Sequence, residues 1–211
     1  MTSNIPRRAC LLASAVLLLS RRSRGEPAVD DVLARIDSAR ATVRTIQGPF
    51  TQVRTIGLLL ADVRSRGTLS LVRPDRLRWK LDPPDDVTFW MGPEGLAYRG
   101  PHGQGRLPAT TARIAAALDD MRALLGGDLS RLRERWLLRV LRDDAAGVEL
   151  EAVARASGDT HLRSMRFALA ADRVRPTHVL FVEDTHDRTA IEFGDLVVNA
   201  VIDDALMRPP P

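Results

Sequence analysis

The chain has 211 residues, with 31 lysines and arginines against 27 aspartates and glutamates, one cysteine and 4% aromatic residues. That length fits one domain plus a processing segment, and the composition excludes a disordered chain. A single cysteine excludes an internal disulfide framework, and so few aromatics require an apolar interior built largely of Leu, Val, Ile and Ala.

Arg7 and Arg8 precede an apolar run from Ala9 to Ser20, and Ser23-Arg24-Gly25 is a small-x-small site. This predicts an export signal over 1–25, cut after Gly25, followed by a single domain over 26–211. The run is too short to span a bilayer as a helix, which favours removal over a retained anchor. Arg7, Arg8, Arg21, Arg22 and Arg24 lie before Glu26 with no acid among them, leaving 26 basic against 27 acidic residues after cleavage. The basic balance belongs to the leader, and nucleic-acid binding loses its electrostatic support. Cys10 falls inside the leader, so the processed chain has no thiol chemistry.

Beyond the leader, Val29, Val32, Leu33, Ile36, Ala39, Val43 and Ile46 recur at helical spacing, predicting an amphipathic helix over 28–46 stopped by Gly48-Pro49. A strand over 50–60 follows. Ser65 to Asp82 reads as a hairpin turning at Arg73-Pro74-Asp75. Leu69 and Leu71 share one face, while Leu77, Trp79 and Leu81 alternate with Arg76, Arg78 and Lys80. Short strands are expected at 87–91 and 95–99, then a mobile Gly-rich loop over 100–105. Thr110 and Thr111 are candidate caps for a helix whose Ile114, Ala115, Leu118, Met121, Leu124 and Leu125 form one stripe. Gly126-Gly127 ends it, and 128–134 supplies another turn or two. Strands return at 136–142, 147–155, 162–170, 175–183 and 188–198. Met165, Phe167 and Leu169 share a face, and Pro209 to Pro211 is expected to fray. Many short strands at regular spacing predict a barrel or sandwich.

Nucleophile elbows, phosphate loops, dinucleotide glycine fingerprints and His-Glu zinc motifs are absent, so the chain is read as no enzyme, with no cofactor and no metal site. His102, His161, His178 and His186 are scattered, and His186-Asp187 reads better as a solvated turn than as half of a catalytic pair. Asp85-Asp86, Asp119-Asp120 and Asp203-Asp204 suit turns and caps.

The order of these features resembles a known family. An N-terminal amphipathic helix is followed by Gly48-Pro49-Phe50-Thr51-Gln52, then Gly67-Thr68-Leu69, Arg73-Pro74, Arg78-Trp79 and Glu94-Gly95 before Tyr98. Asp187-Arg188-Thr189, Ile191 to Phe193 and Asn199 close the series. The chain is in this respect similar to the LolA-type outer-membrane lipoprotein carrier proteins of the bacterial periplasm. It departs from them in lacking a Tyr-Asp-Pro continuation at Tyr98 and in carrying Leu206-Met207 where a phenylalanine is usual.

The resemblance implies a mainly β fold with helices: an incomplete antiparallel β-barrel, a curved half-barrel, covered by an α-helical lid. The implied cavity and lid comprise Phe50, Leu69, Leu71, Arg73, Leu77, Trp79, Leu81, Ile114, Leu118, Met121, Met165, Phe167 and Leu169, with Arg73 as the lid latch. It further implies a monomer that carries lipoprotein acyl chains through the periplasm of a Gram-negative bacterium. An inner-membrane lipoprotein-releasing transporter would load it, and an outer-membrane acceptor would empty it. Two alternatives on the same scaffold are a carrier of another lipid or glycolipid and a lipid-sensing regulatory binding module.

Overall fold

The computed structural model describes residues 28–57, 61–108, 120, 121, 123–125, 128–155, 162–183 and 186–210. The expected leader over 1–25 and the expected lid residues Ile114 and Leu118 lie outside the described residues.

Helix α1 (Val29–Arg40) begins with Asp30 and Asp31 in its first turn, where carboxylates meet the positive end of the helix dipole, and it buries Val32, Leu33 and Ile36. It stops at Arg40, before the expected end at Ile46. Thr42, Val43, Thr45 and Ile46 are β-branched, and their restricted side chains suit a strand better than a helical turn. Strand β1 (Thr45–Ile56) therefore takes over directly.

β1 is the central strand of the molecule. On one side it pairs with β2 (Ala61–Val72), which continues antiparallel through β3 (Arg76–Leu81), β4 (Thr88–Gly92), β5 (Gly95–Gly100) and β6 (Gly103–Pro108). The helical residues at 120, 121 and 123–125, here α2, come next. A 3-10 turn over Leu129–Glu134 follows, whose start is capped by Asp128 accepting from the Ser130 N–H at 2.8 Å. The second half is another meander: β7 (Trp136–Asp144), β8 (Gly147–Ala154), β9 (Ser164–Ala170), β10 (Pro176–Val182) and β11 (Arg188–Phe193), with β11 closing on the other side of β1. The two-residue β12 (Val197–Val198) also pairs with β1.

All twelve strands form one antiparallel sheet running from β6 at one end to β7 at the other, and these two end strands do not pair. The fold is the expected incomplete barrel. Its inner face carries the expected alternation: Leu69 lies opposite Trp79 and Leu71 opposite Leu77, while Met165, Phe167 and Leu169 of β9 are buried. Val32, Leu33 and Ile36 of α1 and Leu124 and Leu125 of α2 belong to the same buried cluster, so both helices cover the sheet's hollow side.

Four expectations are corrected. Gly48-Pro49, expected to stop the helix ahead of a strand starting at Phe50, instead lies within β1. A Cβ on Gly48 would approach the Asp195 carbonyl to 2.8 Å, and the Pro49 carbonyl accepts from the Gly194 N–H at 2.9 Å. In a strand a residue's N–H and C=O point the same way, so proline's missing donor faces the point where β1 changes partner from β12 to β11. The same irregularity divides the single strand expected over 188–198. Gly100 to Gly105 is no loop: β5 and β6 turn at Pro101-His102, and Gly105 leaves room for the Tyr98 ring, which a Cβ there would meet at 2.8 Å. Finally, the C-terminal segment does not fray through Pro210. Met207 is buried, and the Pro210 carbonyl accepts from the Arg106 guanidinium at 2.7 Å.

Candidate functional site

The hollow face holds a cavity of about 250 Å³. Trp79 of β3, Met91 of β4, Phe181 of β10 and Ile191 of β11 form its walls, Met121 of α2 its cover, and Gln52, Glu183 and Thr189 its polar margin. Trp79 is held in place by Phe50, stacked with ring centroids 3.8 Å apart, and by the edge of Phe193 at 6.2 Å. The cavity is thus lined mainly by aliphatic, thioether and aromatic side chains, with Trp79 braced among them, a surface that excludes water and makes few directional demands on a guest.

Of the residues expected to form the cavity and lid, Trp79 and Met121 line this space. Phe50, Leu69, Leu71, Leu77, Met165, Phe167 and Leu169 pack within the buried cluster around it, and Leu81 packs against that cluster from its margin. The sheet register brings these residues together; Ile114 and Leu118 are outside the described residues.

Arg73, in the turn between β2 and β3, aims its guanidinium at the end of α1. Its Nη1 donates to the carbonyl of Arg40 and, at 3.5 Å, to that of Val43. The Arg40 carbonyl also accepts from the Val43 N–H at 3.0 Å, so the guanidinium takes its remaining lone pair and meets the negative end of the helix dipole.

Two residues outside the expected set complete the arrangement. Arg40 is 1% exposed, and its Nη1 and Nη2 donate to the carbonyls of Ala123 at 3.2 Å and Leu124 at 2.9 Å in α2. Burial, and then repulsion from Arg73, lower its pKa to about 10, while Asp37 and Asp172 act in the opposite sense. It therefore stays charged at neutral pH. Asp120, 4% exposed, accepts from Arg135 and from the Trp136 indole, the latter at 3.0 Å, and fixes the described start of α2 to β7. The position of Arg40 carried a signal: it follows Ile36 by four residues and Leu33 by seven, and so lies on the buried stripe of α1. Nothing in the sequence around Asp120 marks it as buried.

Among the described residues, aspartates of the remaining polar pairs are engaged in local hydrogen bonds. Asp187 accepts from the Gly57 N–H at 2.8 Å, Asp85 accepts from the Ser65 hydroxyl, and Asp203 accepts from the Ala205 N–H at 2.9 Å. Among the described residues no three His, Cys, Asp or Glu side chains are placed to hold a metal ion, and no helix is long and apolar enough to cross a membrane.

The family model described as outer membrane lipoprotein carrier protein LolA matches residues 41–209, most of the chain. The chain belongs to the LolA family. An outer-membrane lipoprotein carrier protein of Coxiella burnetii is 22% identical to it over 188 residues, covering 85% of this chain and 82% of that protein. The LolA-family fold has distant likenesses among solved structures. An uncharacterized conserved protein from Thermus thermophilus superposes with a TM-score of 0.53 at 8% identity, covering 86% of this chain and 93% of its own. A DUF1329 family protein from Desulfovibrio piger gives 0.52 at 11% identity, covering 84% and 95%. At these identities the structural likeness speaks for the fold alone.

Proposed function

We propose that this LolA-family chain is a periplasmic carrier that shields lipoprotein acyl chains beneath its helical lid and moves them from the inner to the outer membrane. The observation that carries this reading is the apolar cavity between the sheet and α2. At about 250 Å³ it is smaller than the roughly 300–1,000 Å³ of ordinary ligand pockets, so a long acyl chain needs more room than this form offers. The arginine contacts supply what such a lid needs. Arg73 ties the sheet to α1 and Arg40 ties α1 to α2, so both helices are held down when the cavity is small. These bonds favour the closed, unloaded state and thereby assist release of cargo.

The energetics require direct hand-over. Each buried CH₂ contributes about 0.8 kcal/mol, so an acyl chain of roughly sixteen carbons is held out of water by on the order of 10 kcal/mol. Spontaneous release into water is correspondingly slow, and the carrier accepts cargo from an inner-membrane transporter and passes it to an outer-membrane acceptor. On this reading the working chain begins at Glu26, and N-terminal sequencing from the native host tests that start.

Mass spectrometry of material extracted from the purified native protein tests the function. Triacylated peptide is the expected cargo. Free lipid or glycolipid would replace lipoprotein as the cargo, and an empty protein that also fails to take up triacylated peptide would overturn the carrier reading.

A further inference from the structure

The register places Arg78, Trp90, Ala97 and Arg106 in one row across β3 to β6, on the face opposite Trp79. The C-terminal segment crosses this row as a strap. The Trp90 indole donates to the Leu206 carbonyl at 2.9 Å, Arg106 donates to the Pro210 carbonyl at 2.7 Å, and Met207, 5% exposed, is seated in a turn closed by its own N–H on the Asp204 carbonyl at 3.2 Å. Between strap and strands, and reaching round the turn between β4 and β5 to Leu77, Met91 and Leu96 of the other face, remains a cavity of about 550 Å³, more than twice the one under the lid and within the range of small-molecule pockets.

Its lining has two characters. Trp90, Ala97 and Met207 offer apolar surface, while Arg76, Arg106 and Arg208 bring three guanidinium groups against one carboxylate among the described lining residues, that of Glu94. The acids nearest these arginines hold them loosely. Glu94 stands 4.0 Å from Arg106, Asp204 stands 3.8 Å from Arg76, and the acids are 88% and 72% exposed. Such pairs are weak, and a planar guanidinium exchanges them readily for a carboxylate or phosphate that meets it two atoms at a time.

We propose that this cavity is a second binding site, for a single-chain amphiphile with an anionic head group. The tail lies against Trp90 and Met207, and the head is met by Arg76, Arg106 and Arg208. Among the described residues, Met91 is the one lining residue this cavity shares with the cavity under the lid. The site therefore stands whether or not the lid cavity carries lipoproteins.

The two tryptophans separate the sites, since Trp90 lines the strap cavity and Trp79 the lid cavity, while Trp136 is buried and lines neither. Titrating the full processed chain with 9,10-dibromostearate, a contact quencher, reads each site by fluorescence. The variant Trp79→Phe is expected to keep saturable quenching, now from Trp90. Adding Arg106→Gln and Arg208→Gln is expected to raise its midpoint by about tenfold, the effect of losing a charged hydrogen bond. Dibromostearyl alcohol, with the same tail and no charge, is expected to quench Trp90 at least as poorly as the double arginine variant does. Should Trp79→Phe fail to fold, Trp90→Phe in the parent chain is expected to remove one saturable quenching component. Quenching confined to Trp79, or a Trp90 midpoint equal for acid and alcohol, would overturn the second site. An unquenched Trp79 beside a quenched Trp90 would instead count against the carrier reading and leave this one standing.

Discussion

The guanidinium of Arg73 donates to the backbone carbonyl of Arg40, and the guanidinium of Arg40 donates in turn to two carbonyls of α2. Sheet, first helix and lid are thus joined in series by two arginines, each bonded through its guanidinium to backbone carbonyls of the next element. If the first link sets the balance between open and closed lids, Arg73→Leu retains or gains lipid binding while transfer to an acceptor slows by about tenfold or more, the effect of one or two charge-assisted bonds. A reconstituted transfer assay checks this, and delivery at the parent's rate rules out the latch.

Arg40→Met affects the second link. It removes a buried charge, which alone is neutral or favourable, but it leaves the Ala123 and Leu124 carbonyls without their donor, at about 1–3 kcal/mol each where no water reaches them. The expected result is a lower urea midpoint at unchanged m-value, with faster hydrogen exchange in α2 than in β9. Uniform acceleration throughout the chain would show that Arg40 supports the whole fold and not the lid in particular.

A dye that fluoresces in apolar surroundings is expected to bind the folded chain and to be displaced by fatty acid. Ile191, 3% exposed on the cavity wall, provides the control. Ile191→Trp fills the space at a cost of about 1–3 kcal/mol of strain, and should abolish dye binding at the lid while unfolding remains cooperative. Undiminished binding would place the dye elsewhere.

Asp37 gives the arginine series a pH dependence. Partial burial, and then the negative charge of Asp128, raise its pKa above the ordinary aspartate value, against the pull of Arg40, Arg73 and a hydrogen bond from the Leu129 backbone. A carboxyl with a raised pKa favours the folded state most when protonated. Its contribution is present below the unfolded value of about 3.9 and is lost as pH rises through the folded one. Asp37→Asn, neutral throughout, should therefore exceed the parent in urea midpoint at pH 7, the two converging below about pH 4. Equal midpoints at pH 7 would contradict the assignment.

The hairpin from Ser65 to Asp82 is legible in the sequence because the apolar residues of its second arm recur at period two: Leu77 and Trp79 are buried, Arg76 is exposed and Arg78 is half-buried. Arg73 is legible through the proline that follows it. Arg40 is not, because a charged side chain on an apolar stripe is ordinarily read as marking its edge, and only the carbonyls of a distant helix reveal why it is buried. Pro49 and Gly105 mislead for a related reason. Each normally interrupts a strand, yet Pro49 sits where the ladder changes partner and Gly105 where a neighbouring ring lies across it. Such exceptions depend on contacts far along the chain, which local composition does not encode.

The unpaired ends of the sheet, β6 and β7, have a mechanical consequence. A closed barrel has its radius fixed by strand number and stagger, so its interior cannot grow without breaking a ladder. An open sheet of twelve strands can unroll slightly, every interstrand hydrogen bond intact, by distributing a small change of twist over all its neighbours. On the carrier reading, the volume beneath the lid is then an elastic quantity that suits guests of differing girth, and the recoil of the sheet would add to the force that returns the lid when the guest departs.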